Sequence, residues 1–531
     1  MVDVVQAGRE PMKPRARSAS WLVIAGWLLV AGAATAQNAR ILEQQLDAQG
    51  QGYTVIRVWG SHYEMGYAQA NLLGAYIVEA VNETQEYVGA PFYDYLRSVM
   101  AGALWAPPEI EDELDGMVAS LSETHPSAGI DELDLKVINT YGDWGYAWCR
   151  SHMCWGRYVA PPIKTLATRR LDFDSPLAME SHHVLCARNP DDGSPRWINL
   201  AWPGAVTVAT GVNEFGTLAS LHDYKSAGAV LSAGRMPRMV AARHALTFPS
   251  DGDLSTHLTG VFAELRLYGI MTNGFLNYYA PEGHGGVMTA DRSQAGPDFY
   301  HLRLPQVAWH HGEAIITTNS WTDGTTTPAD EDFGADAYYG DESPKTLESH
   351  WDLLAGTDSL HQLSVAYRGR GDMTLWADGR LDSGRTPRLE WEWGELFGPP
   401  CDDGIDNDGD GRIDFDPLTF ASPGDQWTLP SGSGDPGCRS ASSSTESPQC
   451  QNGSDDDSDG AMDYDAGLSR YGVADPAGPD PQCVGKPYRD CEKAYCGGCG
   501  LGIELLALVP LLTCLSRRRS GRNGLPSVPS A

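Results

Sequence analysis

Two cysteines with a serine and a histidine between them form the part of this sequence best suited to chemistry: Cys149, Ser151, His152 and Cys154. A cysteine becomes a strong nucleophile when a base takes its proton. His152 is one candidate base, but adjacent residues on a strand point to opposite faces, so a regular strand separates His152 from Cys149. A disulfide between the two cysteines is the structural alternative, and it would abolish nucleophilic catalysis.

A charged pair follows in the next stretch with strand character, where Arg169 and Asp172 stand three positions apart. Together with the cysteine segment, this pair is typical of a site built around an activated cysteine nucleophile. An ordinary ion pair across strands is the alternative interpretation of the two residues.

The elements that must position these residues are both helices and strands. Alternation predicts a strand over residues 53–59, and Ser61 with Glu64 forms a capping box that begins a helix over 61–87. Further helices are predicted at 111–121, 133–146 and 235–246, and further strands at 182–188, 197–202, 206–210, 217–221, 299–304 and 313–318. Helices flanking antiparallel strands predict a layered α+β domain.

The N-terminus carries a basic stretch, an apolar run over 21–33 and small residues up to Ala36, which together predict a secretory signal peptide over 1–36. A single uncleaved anchor is the alternative, although the apolar run is shorter than a spanning helix. Export permits disulfides. The net charge of -32 argues against nucleic acid and anionic membranes as partners.

Two Asp-rich stretches, beginning at Cys401 and Cys450, align with each other without a gap. Carboxylates at alternate positions followed by a glycine turn suit calcium. The proposed ligands are Asp406, Asp408, Asp410 and Asp414 in the first copy, and Asp455, Asp457, Asp459 and Asp463 in the second. Neither loop is an EF-hand, because the bidentate glutamate is missing. The alternative is a solvated acidic linker without metal.

The repeats resemble those of thrombospondin type 3 and of bacterial surface proteins. Each copy ends with a second cysteine, which favours bridges between Cys401 and Cys438 and between Cys450 and Cys483, although four cysteines allow three pairings.

Residues 491–531 combine a cysteine motif, a short apolar stretch and an arginine cluster. That order resembles the C-terminal sorting signals of myxobacteria-like Gram-negative bacteria, which implies transient contact with the membrane or sorting machinery and display at the cell surface or outer membrane. A permanent anchor or release from the cell is the alternative.

A set of motifs over residues 53–325 resembles the penicillin acyltransferase and choloylglycine hydrolase branch of the N-terminal nucleophile hydrolases. The matching positions, in order, are Gly60, Glu64, Gly66, Gln69, Cys149, Trp155, Gly156, Arg169, Asp172, Asn213, Gly216, Asn319 and Ser320. The resemblance implies a four-layer αββα sandwich. It also implies hydrolysis of, or acyl transfer from, a non-peptide carbon–nitrogen bond in a small N-acylated substrate, with no cofactor for catalysis.

The resemblance further implies a cysteine nucleophile that self-cleavage exposes as a new N-terminus. The family spacing to Trp155 and Gly156 favours Cys149, and Cys154 is the alternative nucleophile. A free α-amine then serves as the base, since its pKa lies near neutrality. Residues 37–148 would be retained as a small subunit, 149–398 would complete the catalytic domain, 399–490 would hold the repeats, and 491–531 would be the sorting segment.

The same resemblance assigns roles to the remaining site residues. Arg169 would lower the pKa of the thiol, Asp172 would orient the α-amine, and Asn319 would donate to the oxyanion. His222 and Asp223 occupy the position of a further substrate contact. The sequence departs from the family pattern at four positions, which are Trp148, Arg150, Arg170 and Asp223. These departures and the long tail motivate a second hypothesis, a catalytically inactive surface or adhesion protein on a degenerate hydrolase scaffold.

Overall fold

The structure is a computed structural model. It describes residues 38–144, 147–173, 176–223, 231–248, 254–290, 300–304, 312–318, 334–355, 359–381 and 384–398, with short stretches between 438 and 483. The predicted signal peptide, Asn319, most of the Asp-rich repeats and the C-terminal segment lie outside these residues. In the described part of the chain, no helix combines the length and the apolar character needed to cross a membrane.

Nine strands form the first sheet, in the spatial order β1-β2-β5-β6-β7-β8-β9-β10-β11. Their bounds are β1 (Ala39–Leu46), β2 (Gly52–Gly60), β5 (His182–Pro190), β6 (Trp197–Ala201), β7 (Thr210–Asn213), β8 (Leu218–His222), β9 (Gly274–Tyr279), β10 (Gly286–Ala290) and β11 (Tyr300–Arg303). β2 and β5 pair in parallel, and the other neighbours are antiparallel.

The second sheet is antiparallel, in the order β12-β3-β4-β13-β14-β15, and β16 also pairs with β14. Its strands are β3 (Ala147–Trp155), β4 (Thr165–Phe173), β12 (Ala314–Thr317), β13 (His361–Gly369), β14 (Asp372–Leu381), β15 (Gly384–Arg385) and β16 (Leu389–Glu392). Strand β3, which carries both cysteines of interest, therefore lies inside the sheet between β12 and β4.

Eleven α-helices are present in the described residues, besides short 3-10 turns. They are α1 (His62–Val88), α2 (Ala90–Ala101), α3 (Glu109–Thr124), α4 (Glu132–Ile138), α5 (Tyr141–Trp144), α6 (Leu177–Ser181), α7 (Arg238–Thr247), α8 (Leu254–Tyr268), α9 (Ala335–Gly340), α10 (Leu347–Asp352) and α11 (Trp393–Phe397). The predicted capping box of α1 is confirmed, because the side chain of Ser61 accepts from the backbone N–H of Glu64, and Glu64 accepts from the backbone N–H of Ser61.

The two sheets face each other across an apolar core that contains side chains from both, among them Val55, Leu185 and Val365. Alternate residues of the first sheet, such as Ile56, point the other way and pack with helices that include α1, α3 and α7. The outer face of the second sheet packs against α9 and α10 through residues such as Tyr339. This arrangement is compatible with the predicted sandwich.

Two predicted elements are wrong, and one side chain explains both. The helix predicted over 133–146 is divided into α4 and α5 at Asn139, whose side-chain Nδ2 donates to the carbonyl of Leu135 at 2.9 Å. The strand predicted over 206–210 is irregular, because Oδ1 of Asn139 accepts hydrogen bonds from the backbone N–H groups of Val206 and Thr207, at 2.7 and 3.1 Å. These donors are therefore satisfied without a partner strand.

In the tail, Cys450 and Cys483 form a disulfide, as the repeat predicts. Cys438 is also disulfide-bonded. Cys401, its predicted partner, lies outside the described residues.

Candidate active site

Strand β3 directs its alternate residues to two different environments. Met153 belongs to the core between the sheets, and Cys154 belongs to the outer cluster with α9 and α10. By the period of two, Cys149 and Ser151 lie on the face of Met153, while His152 lies on the face of Cys154. The strand therefore separates the two cysteines, and both are free thiols. The alternative of a Cys149–Cys154 disulfide is wrong.

The thiol of Cys149 lies against the guanidinium of Arg169. Nη2 of Arg169 donates to Sγ of Cys149 at 3.1 Å and to the carbonyl oxygen of Leu221 at 2.5 Å. Arg169 is fully buried, and Cys149 is 3% exposed. Because Leu221 lies at the end of β8, one arginine links the candidate nucleophile on the second sheet to the first sheet.

Burial raises the pKa of the Cys149 thiol to about 11. The charge of Arg169 opposes this rise in pKa, the carboxylates of Asp223 and Asp172 add to it, and a hydrogen bond from the backbone of Asp172 opposes it. The thiol of the uncut chain is therefore protonated at neutral pH, and nucleophilic attack requires a base that removes its proton.

Asp172 is directed away from Arg169 and pairs with a different arginine. Its Oδ1 accepts from Nε of Arg170 at 3.0 Å. The alternative interpretation of Arg169 and Asp172 as an ion pair with each other is therefore not what the structure shows. Asp172 remains close to the strand that carries the candidate nucleophile, since its Cα is paired with that of Trp148.

His222 and Asp223 lie at the end of β8, beside the candidate nucleophile. Nε2 of His222 is 2.9 Å from Oγ of Ser151, which lies on the same face of β3 as Cys149. Oδ1 of Asp223 accepts from Nη2 of Arg238 at 2.6 Å. The structure thus brings together five of the predicted site residues: Cys149, Arg169, Asp172, His222 and Asp223.

Sequence reasoning missed Arg238 and the groups that hold it. Arg238 is the first residue of α7, and its Nη1 donates to the carbonyl of His222 at 3.1 Å. Its backbone N–H donates to the carboxylate of Asp143, which also accepts from the hydroxyl of Thr272 at 2.7 Å. Burial raises the pKa of Asp143, and the charge of Arg238 opposes that rise. The signal that the sequence offered was an arginine near the start of the helix predicted over 235–246.

A second group of missed residues surrounds Ser151. Nδ2 of Asn277 donates to its Oγ at 2.9 Å, and the hydroxyl of Tyr279 lies 3.1 Å from the same atom. The Tyr279 hydroxyl in turn lies 2.8 Å from Oγ1 of Thr317 on β12. This buried polar network ties β3, β9 and β12 together beside Cys149.

His152 and Cys154 take part in the outer layer instead. Nδ1 of His152 is 2.7 Å from the hydroxyl of Tyr339, and its ring stacks on His350 with centroids 3.7 Å apart. Burial lowers the pKa of His152 to about 3 and raises the pKa of Cys154 to about 12. His152 is therefore placed on the wrong face to serve as the base for Cys149.

Most of the remaining predicted site residues lie outside the part of the chain that the structure describes. Asn319 lies beyond the described end of β12. Of the eight proposed metal ligands, Asp455 and Asp463 are described. Within the described part of the chain, no group of three or more His, Cys, Asp or Glu residues could hold a metal ion.

Comparison with known proteins finds similarity to solved structures alone. No protein-family profile and no curated protein matches the chain. Among solved structures, the chain is similar to a Caenorhabditis elegans N-acylethanolamine-hydrolyzing acid amidase (NAAA) ortholog, with 12% sequence identity and a TM-score of 0.27. The similarity covers 41% of this chain and 92% of that one. Values this low do not establish a family for the chain.

Proposed function

We propose that this protein is an exported cysteine amidase or acyltransferase that cleaves linear N-acyl amides after cutting its own chain before Cys149. The observation that carries the proposal is the position of Cys149, with its Sγ 3.1 Å from Nη2 of Arg169 between the two sheets. A buried guanidinium beside a thiol favours the thiolate. The ordered motifs that resemble N-terminal nucleophile hydrolases give the reaction class.

In the proposed mechanism, the cut supplies the base that the Cys149 thiol needs. A buried thiol with a pKa of about 11 is almost entirely protonated at pH 7. Self-cleavage between Trp148 and Cys149 adds water across that peptide bond, leaving a carboxylate on Trp148 and an α-amine on Cys149. The new amine belongs to the nucleophile itself and has a reference pKa of about 7.7 to 8.0, so it can accept the thiol proton near neutral pH.

Catalysis then follows in two steps. The α-amine of Cys149 takes the thiol proton, the thiolate attacks the amide carbonyl, and the proton passes to the departing amine as the carbon–nitrogen bond breaks. Water, or another amine in a transferase, attacks the resulting thioester, which releases the acyl group and regenerates the thiol of Cys149. We propose Asn319 as one donor to the oxyanion, a contribution of about 3 kcal/mol for a typical donor of this kind.

The test of the proposed nucleophile compares two cysteine variants. Cys149→Ala should abolish both self-cleavage and hydrolysis of a panel of fluorogenic N-acyl amides, because the nucleophile is lost. Cys154→Ala is the matched control, since that thiol lies on the opposite face of the same strand, and it should retain cleavage and hydrolysis. If Cys154→Ala alone removes both activities, the assignment of Cys149 is wrong.

The tail and the chain ends complete the proposal. We propose that residues 1–36 direct export, that the Asp-rich repeats bind Ca²⁺, and that residues 491–531 direct the protein to the surface of a Gram-negative cell. Isothermal calorimetry with CaCl₂ tests the calcium sites on the full chain. Binding should weaken when Asp455, Asp457 and Asp459 are replaced by Asn, and the absence of calcium binding to the unaltered chain would contradict the assignment.

A further inference from the structure

Two of the departures from the family pattern concern the carboxylate that would serve the α-amine. Arg170 stands where the family has an asparagine, and its Nε donates to Oδ1 of Asp172 at 3.0 Å. Nη1 of Arg170 also donates to the carbonyl of Leu354 at 3.1 Å, which fixes the guanidinium on the outer face of the second sheet. The carboxylate that the resemblance assigns to the α-amine therefore points to the outer face, whereas Arg169 meets the Cys149 thiol on the opposite face.

The second departure supplies a carboxylate from the opposite sheet. Asp223 directly follows β8, two residues after Leu221. Nη2 of Arg169 donates both to the carbonyl of Leu221 and to the thiol of Cys149, so this end of β8 lies close to the thiol. Nη2 of Arg238 holds Oδ1 of Asp223 at 2.6 Å. Asp223 is also the carboxylate with the larger effect on the pKa of Cys149, ahead of Asp172.

We propose that Asp223, positioned by Arg238, is the carboxylate that receives the new N-terminal ammonium of Cys149, and that Asp172 serves as the counter-ion of Arg170. This inference rests on the proposed function, because the ammonium exists only after self-cleavage. It makes Asp223 a positioning residue for the base rather than a substrate contact.

The charges around Cys149 come from five elements, the first being β3 itself, on which Arg150 is the next residue. Arg169, Arg170 and Asp172 lie on β4, and Asp223 follows β8. The guanidinium of Arg238 approaches from α7, where it interacts with both Asp223 and Cys149. Oδ1 of Asp143, on α5, lies 3.6 Å from Nε of Arg238. His222 contacts the hydroxyl of Ser151, which lies on the same face of β3 as Cys149. With Arg170 paired to Asp172, the carboxylate on the side of the first sheet is that of Asp223, held by Arg238 at the end of β8.

Arg238 also links this arrangement to the segment before the proposed cut. Its guanidinium donates to the carbonyl of Gly142, and its backbone N–H to Asp143. Both residues belong to α5, a few positions before Trp148. The N-terminal segment thus helps to hold the arginine that positions Asp223.

The test measures the pH dependence of kcat/KM for the mature enzyme with Asp223→Asn and Asp172→Asn. A carboxylate beside an ammonium raises its pKa, and the α-amine acts as base only when neutral. Removing the Asp223 charge should therefore lower the pKa of the amine and move the acid limb of the profile to lower pH by about one unit or more. Asp172→Asn should move the limb by less than Asp223→Asn does, because the Asp172 carboxylate is turned towards Arg170 on the outer face.

Asp223→Glu is the conservative control and should return the acid limb toward its original position. A shift caused by Asp172→Asn, with none caused by Asp223→Asn, overturns the inference and leaves the proposed function intact. If Asp223→Asn fails to fold, the Asp172→Asn profile still decides, since any large shift there contradicts the assignment. Absence of self-cleavage in the unaltered protein overturns the proposed function and this inference together.

Discussion

At the residue scale, two effects oppose each other on the pKa of the Cys149 thiol: burial raises it, and the positive charge of Arg169 lowers it. Arg169 contacts the sulfur at 3.1 Å, yet burial still raises the pKa of the thiol to about 11. A single guanidinium therefore does not by itself produce a thiolate at neutral pH. The proposed α-amine would supply a proton acceptor beside this thiol.

This balance predicts different thiol reactivity before and after the cut. In the uncut chain, the alkylation rate of Cys149 should rise about tenfold for each pH unit from 7 to 10, because the thiolate fraction grows in that proportion below the pKa. As an N-terminal residue, Cys149 should react readily near pH 7. Iodoacetamide labelling followed by peptide mass spectrometry separates the two forms. Rapid labelling of the uncut form at pH 7 would contradict the pKa argument.

Part of the site could be predicted from the residues and part could not. The alternation of β3 was sufficient to reject His152 as the base for Cys149, and the structure confirms that the two face opposite ways. The same alternation places Arg170 and Asp172 on one face of β4 and Arg169 on the other, but it was not applied to these residues, whose roles had been taken from the resemblance. Arg238 was missed because its partners come from segments far apart in the chain.

At the scale of elements, α1 and α3 pack with their backbones in contact, and glycines make this possible. A Cβ on Gly66 would lie 1.9 Å from the carbonyl oxygen of Glu113, and one on Gly116 would lie 2.0 Å from that of Tyr63. Each helix thus places a glycine against the backbone of the other. This contact sets the position of Glu113, which faces the first sheet.

We predict that Gly66→Ala lowers the free energy of unfolding by about 2 to 3 kcal/mol, because the added methyl group forces the two helices apart. Gly394→Ala in α11 is the control, since a Cβ there meets nothing within 4 Å, and it should leave the stability unchanged or raise it by up to about 1 kcal/mol. Urea denaturation of both variants measures the difference. Equal stabilities would show that α1 and α3 can separate without cost.

Element prediction succeeded where local signals agree and failed where tertiary contacts decide. The capping box correctly indicated α1, alternation indicated β2, and the strand patterns over 182–188 and 197–202 indicated β5 and β6. The error over 206–210 arose because a distant amide, that of Asn139, takes the backbone donors. Strands β13 and β14, which complete the second sheet beside β4, had not been predicted at all.

At the scale of the whole molecule, a buried charge network joins the N-terminal segment to the rest of the domain. Glu113 on α3 is fully buried and accepts from Nε of Arg188 at 3.1 Å and from Nη2 of Arg243 at 2.5 Å. The two arginines lie on β5 and α7, beyond the proposed cut. Removing one partner from a buried pair of this kind costs about 3 to 5 kcal/mol.

Opposing charges keep the Glu113 carboxylate ionised in spite of its burial. Burial raises its pKa, but Arg243, Arg188 and His62 outweigh that effect and hold the pKa well below its usual range. A depressed carboxyl pKa contributes stability above the unfolded-state pKa of about 4.3, and this stability is lost as the pH falls below that value. The network therefore holds the two segments together at neutral pH.

Backbone pairing adds to this connection. β2, which precedes the proposed cut, pairs in parallel with β5, which follows it, along the whole length of both strands. Asn139 and Asp143 also bond to residues beyond position 149. We therefore expect residues 37–148 to stay bound after cleavage as a subunit without a covalent link at position 148.

The central claim is that the chain cuts itself before Cys149, and the mass of the purified protein tests it most directly. Under reducing and denaturing conditions, the mature protein should separate into two chains, the larger beginning with Cys149, while the native protein should elute as one species. Cys149→Ala should give one uncut chain. An unaltered protein that remains a single chain, or one that begins at Cys154 after cleavage, would contradict the account.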